Sequence, residues 1–291
     1  QFLYFLLKHL NIFLSFLFSI YSFSQKLEKI PLRKYKIATL SDSLRETSGL
    51  TFFNDKLYTF NDGGNPNLVF EIDKNSGKIL NKLQTNFPNK DWEAITNDGE
   101  NLYIGDFGNN AGNRKDLAIY KIENSIDSSK ILFNYQNQKE FKTNYLNHNF
   151  DAEAMIFLDG NIHLFTKEWS SKNISHYIVN LQNAENQSII KVESYKTGFV
   201  VTDASYFEGK LYVVGYTKKG KVFMMIFEEN SDGLFFSKPL KKYKLGSALT
   251  IGQVEGIAVN KDGIYISNES FAKFIFKVKQ SLYFIPFHPL K

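Results

Sequence analysis

Val254-Glu255-Gly256-Ile257-Ala258-Val259-Asn260-Lys261-Asp262-Gly263-Ile264-Tyr265-Ile266-Ser267-Asn268-Glu269 is the stretch that decides the fold. An acidic residue and a glycine open an apolar run, Asp262-Gly263 accepts the backbone angles of a tight turn, and an alternating run returns. That is the pattern of an antiparallel hairpin. The unit occurs five times: Ser48-Gly49-Leu50, Glu93-Ala94-Ile95, Glu153-Ala154-Met155, Asp203-Ala204-Ser205 and Glu255-Gly256-Ile257 stand 45, 60, 50 and 52 residues apart. Seven or eight residues after each small residue comes Leu57-Tyr58, Leu102-Tyr103, Ile162-His163, Leu211-Tyr212 or Ile264-Tyr265. A turn pair, such as Asn54-Asp55 or Asp159-Gly160, lies between them every time.

Third strands are predicted at 68–72, 117–122, 176–179, 222–227 and 274–278, and less regular fourth strands at 79–83, 131–135, 189–192 and 234–236. Four antiparallel strands in each repeat of about 50 residues, without helical periodicity, predict an all-β fold, a β-propeller of four-stranded blades. Naming the strands A to D from the axis outward gives the Gly or Ala of strand A a reason, since the innermost strands crowd one another. Five units are detectable, and residues 34–40 sit before the first strand A, where a strand D belongs. They predict a five-bladed ring closed by the N-terminal segment. Residues 282–287 compete for the same place, and use of both segments would make a sixth blade.

Of the 291 residues, 16% are aromatic and 22% charged, a composition of folded soluble domains. No Pro-, Gly- or Ser-rich linker divides the chain, so residues 26–291 are expected to form one propeller domain. Lys8 and His9 precede an apolar run over 10–23 that ends at Ser24-Gln25. Residues 1–25 therefore read as a signal peptide. The run is shorter than the roughly 20 residues of a spanning helix. Export to the periplasm, cell surface or medium is expected, with membrane attachment only if the segment stays uncleaved. The absence of cysteine excludes disulfides, thiolate metal sites, cysteine nucleophiles and lipid attachment through cysteine. A formal net charge of +5 is too mild to indicate nucleic acid, and the chain is expected to be a monomer.

In an antiparallel blade the D-to-A and B-to-C connections emerge on one face. The start of strand A holds Glu93, Glu153, Asp203 and Glu255, with Ser48 in the first blade, and Glu46, Asp91 and Asp151 stand two residues earlier. Beyond the matched Tyr or His, three to five residues on, come Asp62, Asp106, Glu168 and Glu269. All are expected at one mouth. So many like charges raise one another's pKa unless a cation or a basic side chain intervenes. Calcium, which takes six to eight oxygen ligands, is the natural cation. Glu46, Asp62, Asp91, Glu93, Asp106, Asp151, Glu153, Asp203, Glu255 and Glu269 are its candidate ligands. Zinc is disfavoured because the five histidines are scattered. The acids of strand A equally suit hydrogen bonding to the neighbouring blade. Lys167, Glu168, Asp106, Arg114 and Glu269 vary between blades, which suits a specific site, and Trp92 and Trp169 suit blade packing or ligand stacking.

The element Val254-Glu255-Gly256-Ile257-Ala258 with Ile264-Tyr265-Ile266-Ser267-Asn268-Glu269 resembles the exported propellers grouped around the phytase-like and SdiA-regulated families. Gly105-Asp106-Phe107-Gly108-Asn109-Asn110 with Asp116-Leu117-Ala118-Ile119-Tyr120 resembles secreted proteins of Bacteroidetes. Some such relatives are calcium-dependent phosphatases with an acidic channel, and the resemblance implies Glu93, Glu153 and Glu255 as metal ligands. The contiguous aspartate cluster of phytases is missing, and basic residues are not concentrated at the mouth. The expected function is binding of calcium and of a small-molecule, glycan or protein ligand at the mouth. The alternatives are a calcium-dependent phosphoesterase or lactonase and an envelope interaction scaffold. In the enzyme, Glu153 or Glu255 would be the general base, with Lys167 or Arg114 holding the substrate anion.

Overall fold

The computed structural model describes residues 27–123, 126–183, 186–273 and 275–290; the candidate signal peptide lies outside them. Five antiparallel sheets form a ring, a five-bladed β-propeller. Blade one comprises Thr47–Phe53, Lys56–Asn61, Leu68–Ile72 and Ile79–Gln84, and blade two Trp92–Asn97, Asn101–Asp106, Ala118–Glu123 and Ile126–Tyr135. Blade three is Ala152–Leu158, Asn161–Thr166, Ile174–Asn180 and Lys191–Tyr195, and blade four Val200–Phe207, Lys210–Tyr216, Lys221–Glu228 and Pro239–Ser247. In blade five Val254–Asn260, Gly263–Asn268 and Ser281–Pro286 are completed by the N-terminal strand Lys36–Thr39. The ring closes as the sequence predicts, without a sixth blade.

The A-to-B turns have the expected chemistry. Asn54 and Asp55 take φ of 51° and 60°, Asp159 and Gly160 of 48° and 76°, and Glu208 and Gly209 of 47° and 70°. Two successive left-handed residues match the twist of the flanking strands. Apolar side chains on alternate faces of each blade then meet those of the next. Phe60 and Val69 pack with Trp92, Ile104 and Tyr120 between blades one and two; Leu50 and Phe70 pack with Tyr265 and Leu282 between blades one and five. Trp92 belongs wholly to this packing: it is fully buried, edge-on to Phe60, and its Nε1 donates to Pro88 O at 3.0 Å.

Three expected strands lie elsewhere. The third strand of blade five is Ser281–Pro286, because a strand between two blades must bury both faces and Leu282, Tyr283 and Ile285 do so. Residues 276–278 instead pair with Phe271–Lys273 in a separate hairpin standing at the mouth. In blade four the outer strand is Pro239–Ser247 rather than 234–236. Phe235 and Phe236 donate their N–H groups to the Glu193 carboxylate at 2.9 and 2.8 Å, so they join no ladder. The segment 189–192 is divided: Gln187–Ile189 lies parallel on the outer strand of blade two, and Lys191–Tyr195 completes blade three. Glu28–Lys29 similarly adds a parallel strand to blade four. Among the described residues no helix is long and apolar enough to cross a membrane.

Candidate functional site

Two local features aim side chains at the mouth. The first is parity. Four residues beyond each matched Tyr or His stand Asp62, Phe107, Lys167, Tyr216 and Glu269, and all except Phe107 line a cavity of about 830 Å³ on the axis. Residues one position away face the opposite side, because strand side chains alternate. Asp106 is therefore sealed inside the blade, accepting from Arg114 Nη2 at 2.8 Å, Tyr120 OH at 3.0 Å and Asp91 N at 3.2 Å. Arg114 also donates to Gly108 O at 2.8 Å and pairs with Asp116 at 3.2 Å, so it braces the loop and does not line the cavity. Glu168 likewise turns away, its carboxylate enclosed by the hydroxyls of Thr166, Ser171 and Ser175.

The second feature is a β-bulge in every strand A. In blades two, three and five the extra residue is Glu93, Glu153 and Glu255, each skipped by the ladder. A bulge re-aims the unpaired side chain, here into the cavity. In blade four the extra residue is Thr202, so Asp203 stands one position out of register with the glutamates. It turns into the protein, accepting from Ile257 N at 2.7 Å, Ala204 N at 2.8 Å and Leu50 N at 3.2 Å. Asp203 thus ties blades four, five and one together, the backbone-bonding role weighed for the strand A acids. The spacing of seven rather than eight residues between Ala204 and Leu211 was the signal of the shift. Ser48 and Thr202 donate to Glu93 O at 3.3 Å and Val254 O at 2.7 Å of the next blades. Glu46 stays exposed at the rim, accepting from Asn65 Nδ2 at 2.7 Å.

The acids left in the cavity divide into two halves. On one side Lys167, itself buried, contacts Glu153 directly. Its ammonium also lies 5.4 Å from the Trp169 ring centroid and 5.8 Å from that of Tyr216. Burial alone would lower the Lys167 pKa, but Glu153, Tyr216, Glu255 and Asp151 hold it well above the ordinary value. Lys167 is a tethered cation in the acidic ring. It is committed to Glu153, which removes both from the free groups expected of a base and an anion holder.

Beside this pair, Gln253 Nε2 bridges Glu255 Oε1 at 3.3 Å and Glu269 Oε1 at 2.9 Å, and donates to Tyr216 OH at 3.0 Å. Burial pushes Glu255 up to about 7, with Asp62 adding repulsion; burial and then Glu255 push Glu269 up to about 9. The folded state therefore keeps protons that the unfolded chain releases near pH 4.3. Because the native state binds more protons across this window, metal-free stability is expected to fall as pH rises from about 5 to about 9. Urea unfolding at several pH values checks it, and stability that rises over that window contradicts the assigned shifts.

The other half, Asp62 and Glu93 of the lining with Asp91 behind them, has no basic side chain within ion-pair distance among the described residues. Asp62, Asp91 and Glu93 each place a carboxylate oxygen within 4.8 Å of the other two. Burial pushes Asp91 up to about 7, with Asp62 and Asp151 adding to it, and burial raises Glu93 well above the ordinary value. Gly63 and Gly108 make the room: a Cβ on either would stand 2.5 Å from an Asp91 carboxylate oxygen, and one on Gly108 would also strike Glu93. Asp151, fully buried, accepts from Asn109 N at 2.7 Å through Oδ1, while its Oδ2 has no partner among the described residues. The trio is an all-oxygen set, and the charge of Asp151 adds to its repulsion, which suits a hard cation such as Ca²⁺. His163 and His176 bond to one another at 2.9 Å, and His176 bonds to Glu193 at 2.9 Å, inside blade three.

The cavity wall is made by residues that no motif announced. Tyr216 ends strand B of blade four and Lys218 and Lys219 follow it, Gln253 and Leu249 precede strand A of blade five, and Phe271, Lys273 and Phe276 come from the separate hairpin. Trp169 also lines the cavity.

No protein-family model matches the chain, and no curated protein matches it either. Several solved structures are similar. Hydrazine synthase of Kuenenia stuttgartiensis aligns over 78% of this chain and 56% of its own length, at 11% identity and a TM-score of 0.40. The PQQ-bound aldose sugar dehydrogenase of Streptomyces coelicolor aligns over 85% and 96%, at 9% identity and a TM-score of 0.45. A putative 6-phosphogluconolactonase of Bacteroides uniformis aligns over 88% and 74%, at 11% identity and a TM-score of 0.39. The chain spans little more than half of the hydrazine synthase chain. None of these comparisons assigns the chain to a family.

Proposed function

We propose that this chain is an exported propeller that binds one divalent cation, calcium by its ligand chemistry, and a small ligand in the mouth cavity. The observation that carries the cation is the trio Asp62, Asp91 and Glu93, gathered within 4.8 Å of one another where Gly63 and Gly108 leave room. Three carboxylates cannot all ionise so close together in a half-buried pocket without a counter-charge, and the buried Lys167 is engaged by Glu153. Backbone carbonyls and water would complete a calcium shell. The cavity volume, about 830 Å³, falls in the range that holds a small molecule.

Calorimetric titration of the protein without residues 1–25 tests the cation. One site is expected, with a Kd on the order of 10 µM. Asp91→Asn is expected to weaken it by about tenfold or more, roughly 1.4 kcal/mol. Calcium at 100 times its Kd should stabilise the fold by about 2.7 kcal/mol. Absence of a calcium heat, or titration unchanged by Asp91→Asn, refutes the site. A hydrolase acting on a phosphoester or lactone is the second reading. What favours it is the Glu255 and Glu269 pair, which retains a proton at neutral pH where it faces the cavity.

A further inference from the structure

Opposite in sign to the floor, one wall of the cavity gathers positive charge around a single indole: Lys167, Trp169 and Lys218 line it, and Lys172 reaches the same ring from beside the lining. Lys167, Lys172 and Lys218 hold their ammonium groups 5.4, 5.6 and 5.7 Å from the Trp169 ring centroid. Lys167 has Glu153, but among the described residues neither Lys172 nor Lys218 has a carboxylate within ion-pair distance. Burial and then the charge of Lys218 lower the Lys172 pKa, so the two ammonium groups work against each other. Trp169 is 8% exposed and its Nε1 has no acceptor among the described residues.

Lys172 adds an independent observation. Its φ is 61°, a left-handed conformation where glycine or asparagine sits with less strain than lysine. The backbone there is held by Lys172 N donating to Glu168 O and by Lys172 O accepting from Gly198 N, each at 3.1 Å. Those bonds are indifferent to the side chain. The lysine side chain thus occupies a position that suits glycine, and among the described residues its ammonium lies over the Trp169 ring without an ion-pair partner. Strain of this kind, held in place by surrounding structure, accompanies functional positions.

We propose that Lys172, Lys218 and the Trp169 indole form an anion subsite, so that the cavity's ligand carries a carboxylate or phosphate group on this wall. The inference rests on the reading of the cavity as a ligand site and names the ligand's chemical class. An oxyanion between the two ammonium groups replaces their repulsion with two charge-assisted hydrogen bonds, and the indole N–H is a third donor. Contact with the indole holds the ammonium groups in place before the ligand arrives. With a basic wall above an acidic floor, such a ligand enters in one orientation, its anion on the wall and its hydroxyls or a bridging cation toward Asp62, Glu93 and Glu255.

Glucose, glucuronate and glucose 6-phosphate have similar rings and differ in the charged group, and Trp169 fluorescence follows their binding because Trp92 is fully buried. Both anionic sugars are expected to bind at least about tenfold more tightly than glucose, an advantage that shrinks in ~0.5 M salt. Their ratio tells carboxylate from phosphate. Lys172→Gly should keep or raise the melting temperature while removing most of the advantage, and Lys218→Gln should remove it without unfolding. The proposal is overturned if neither anionic sugar binds better than glucose, or if both variants keep the wild-type preference. Calcium titration of Lys172→Gly separates the two claims. Calcium binding without anion preference leaves the cation site standing and removes the subsite; anion preference without calcium binding does the reverse.

Discussion

Lys167→Met is expected to cost about 3–5 kcal/mol at pH 8, because it leaves a buried carboxylate without its counter-charge. Methionine keeps the length and most of the volume of the lysine stem, so packing on Trp169 and Tyr216 is largely retained and the loss reports charge. Glu153, only 2% exposed, then faces Asp151 and Glu255 with nothing between them. The sign of the pH dependence follows. Burial already raises the Glu153 pKa and Lys167 opposes that rise; without Lys167 the rise above the unfolded value of about 4.3 is larger, so the deficit grows as pH rises from about 5 to about 8. Lys167→Met with Glu153→Gln should recover most of the loss, since replacing both partners of a buried pair is far less costly than replacing one. Urea unfolding of the single and double variants at the two pH values measures this. A single variant as stable as the parent at pH 8, or no rescue by the double, would show that the pair does not neutralise the ring.

Asp203→Ala is expected to be as damaging, by another route. Its carboxylate accepts backbone N–H groups from Ile257, Ala204 and Leu50, which belong to blades five, four and one, and the side chain is fully buried. Alanine leaves three buried donors unpaired at about 1–3 kcal/mol each, a total on the order of 3–9 kcal/mol. Asp203→Asn should fall between, because Oδ2 holds both inter-blade bonds and an amide oxygen can replace it, while the amide nitrogen opposes Ala204 N. Denaturant unfolding gives the energies, and amide exchange at Leu50 and Ile257 locates them. A cost under ~1 kcal/mol, or exchange unchanged at both amides, would remove Asp203 from the tie between blades.

These two acids show how far local pattern reaches. Both stand at the start of a strand A, preceding alanine, and the sequence aligned them as equivalents. One residue of register separates them in the structure, since the bulge falls on Glu153 in blade three and on Thr202 in blade four. With a side-chain period of 2, that single step sends one carboxyl into the cavity and the other into the protein. Asp106 and Glu168 were misplaced at the mouth for the same reason. Lying three and five residues beyond the matched Tyr or His, they face away from Asp62, Lys167 and Glu269 at four. Parity and spacing were both legible in the residues.

The sequence by itself determined the five hairpins, the ring closed by an N-terminal strand, and the face on which acids collect, because turn chemistry and two-residue alternation are properties of neighbours along the chain. Only the tertiary structure decided what each acid does. Glu153 meets Lys167 from its own blade, whereas Asp203 meets amides of two others, and Asp62 of blade one joins Asp91 and Glu93 of blade two. The Lys172 and Lys218 ammonium groups converge on Trp169 from blades three and four. Direction along a strand is set locally, but the charge a carboxylate can keep depends on what stands across the axis, and that is supplied by residues far away in sequence.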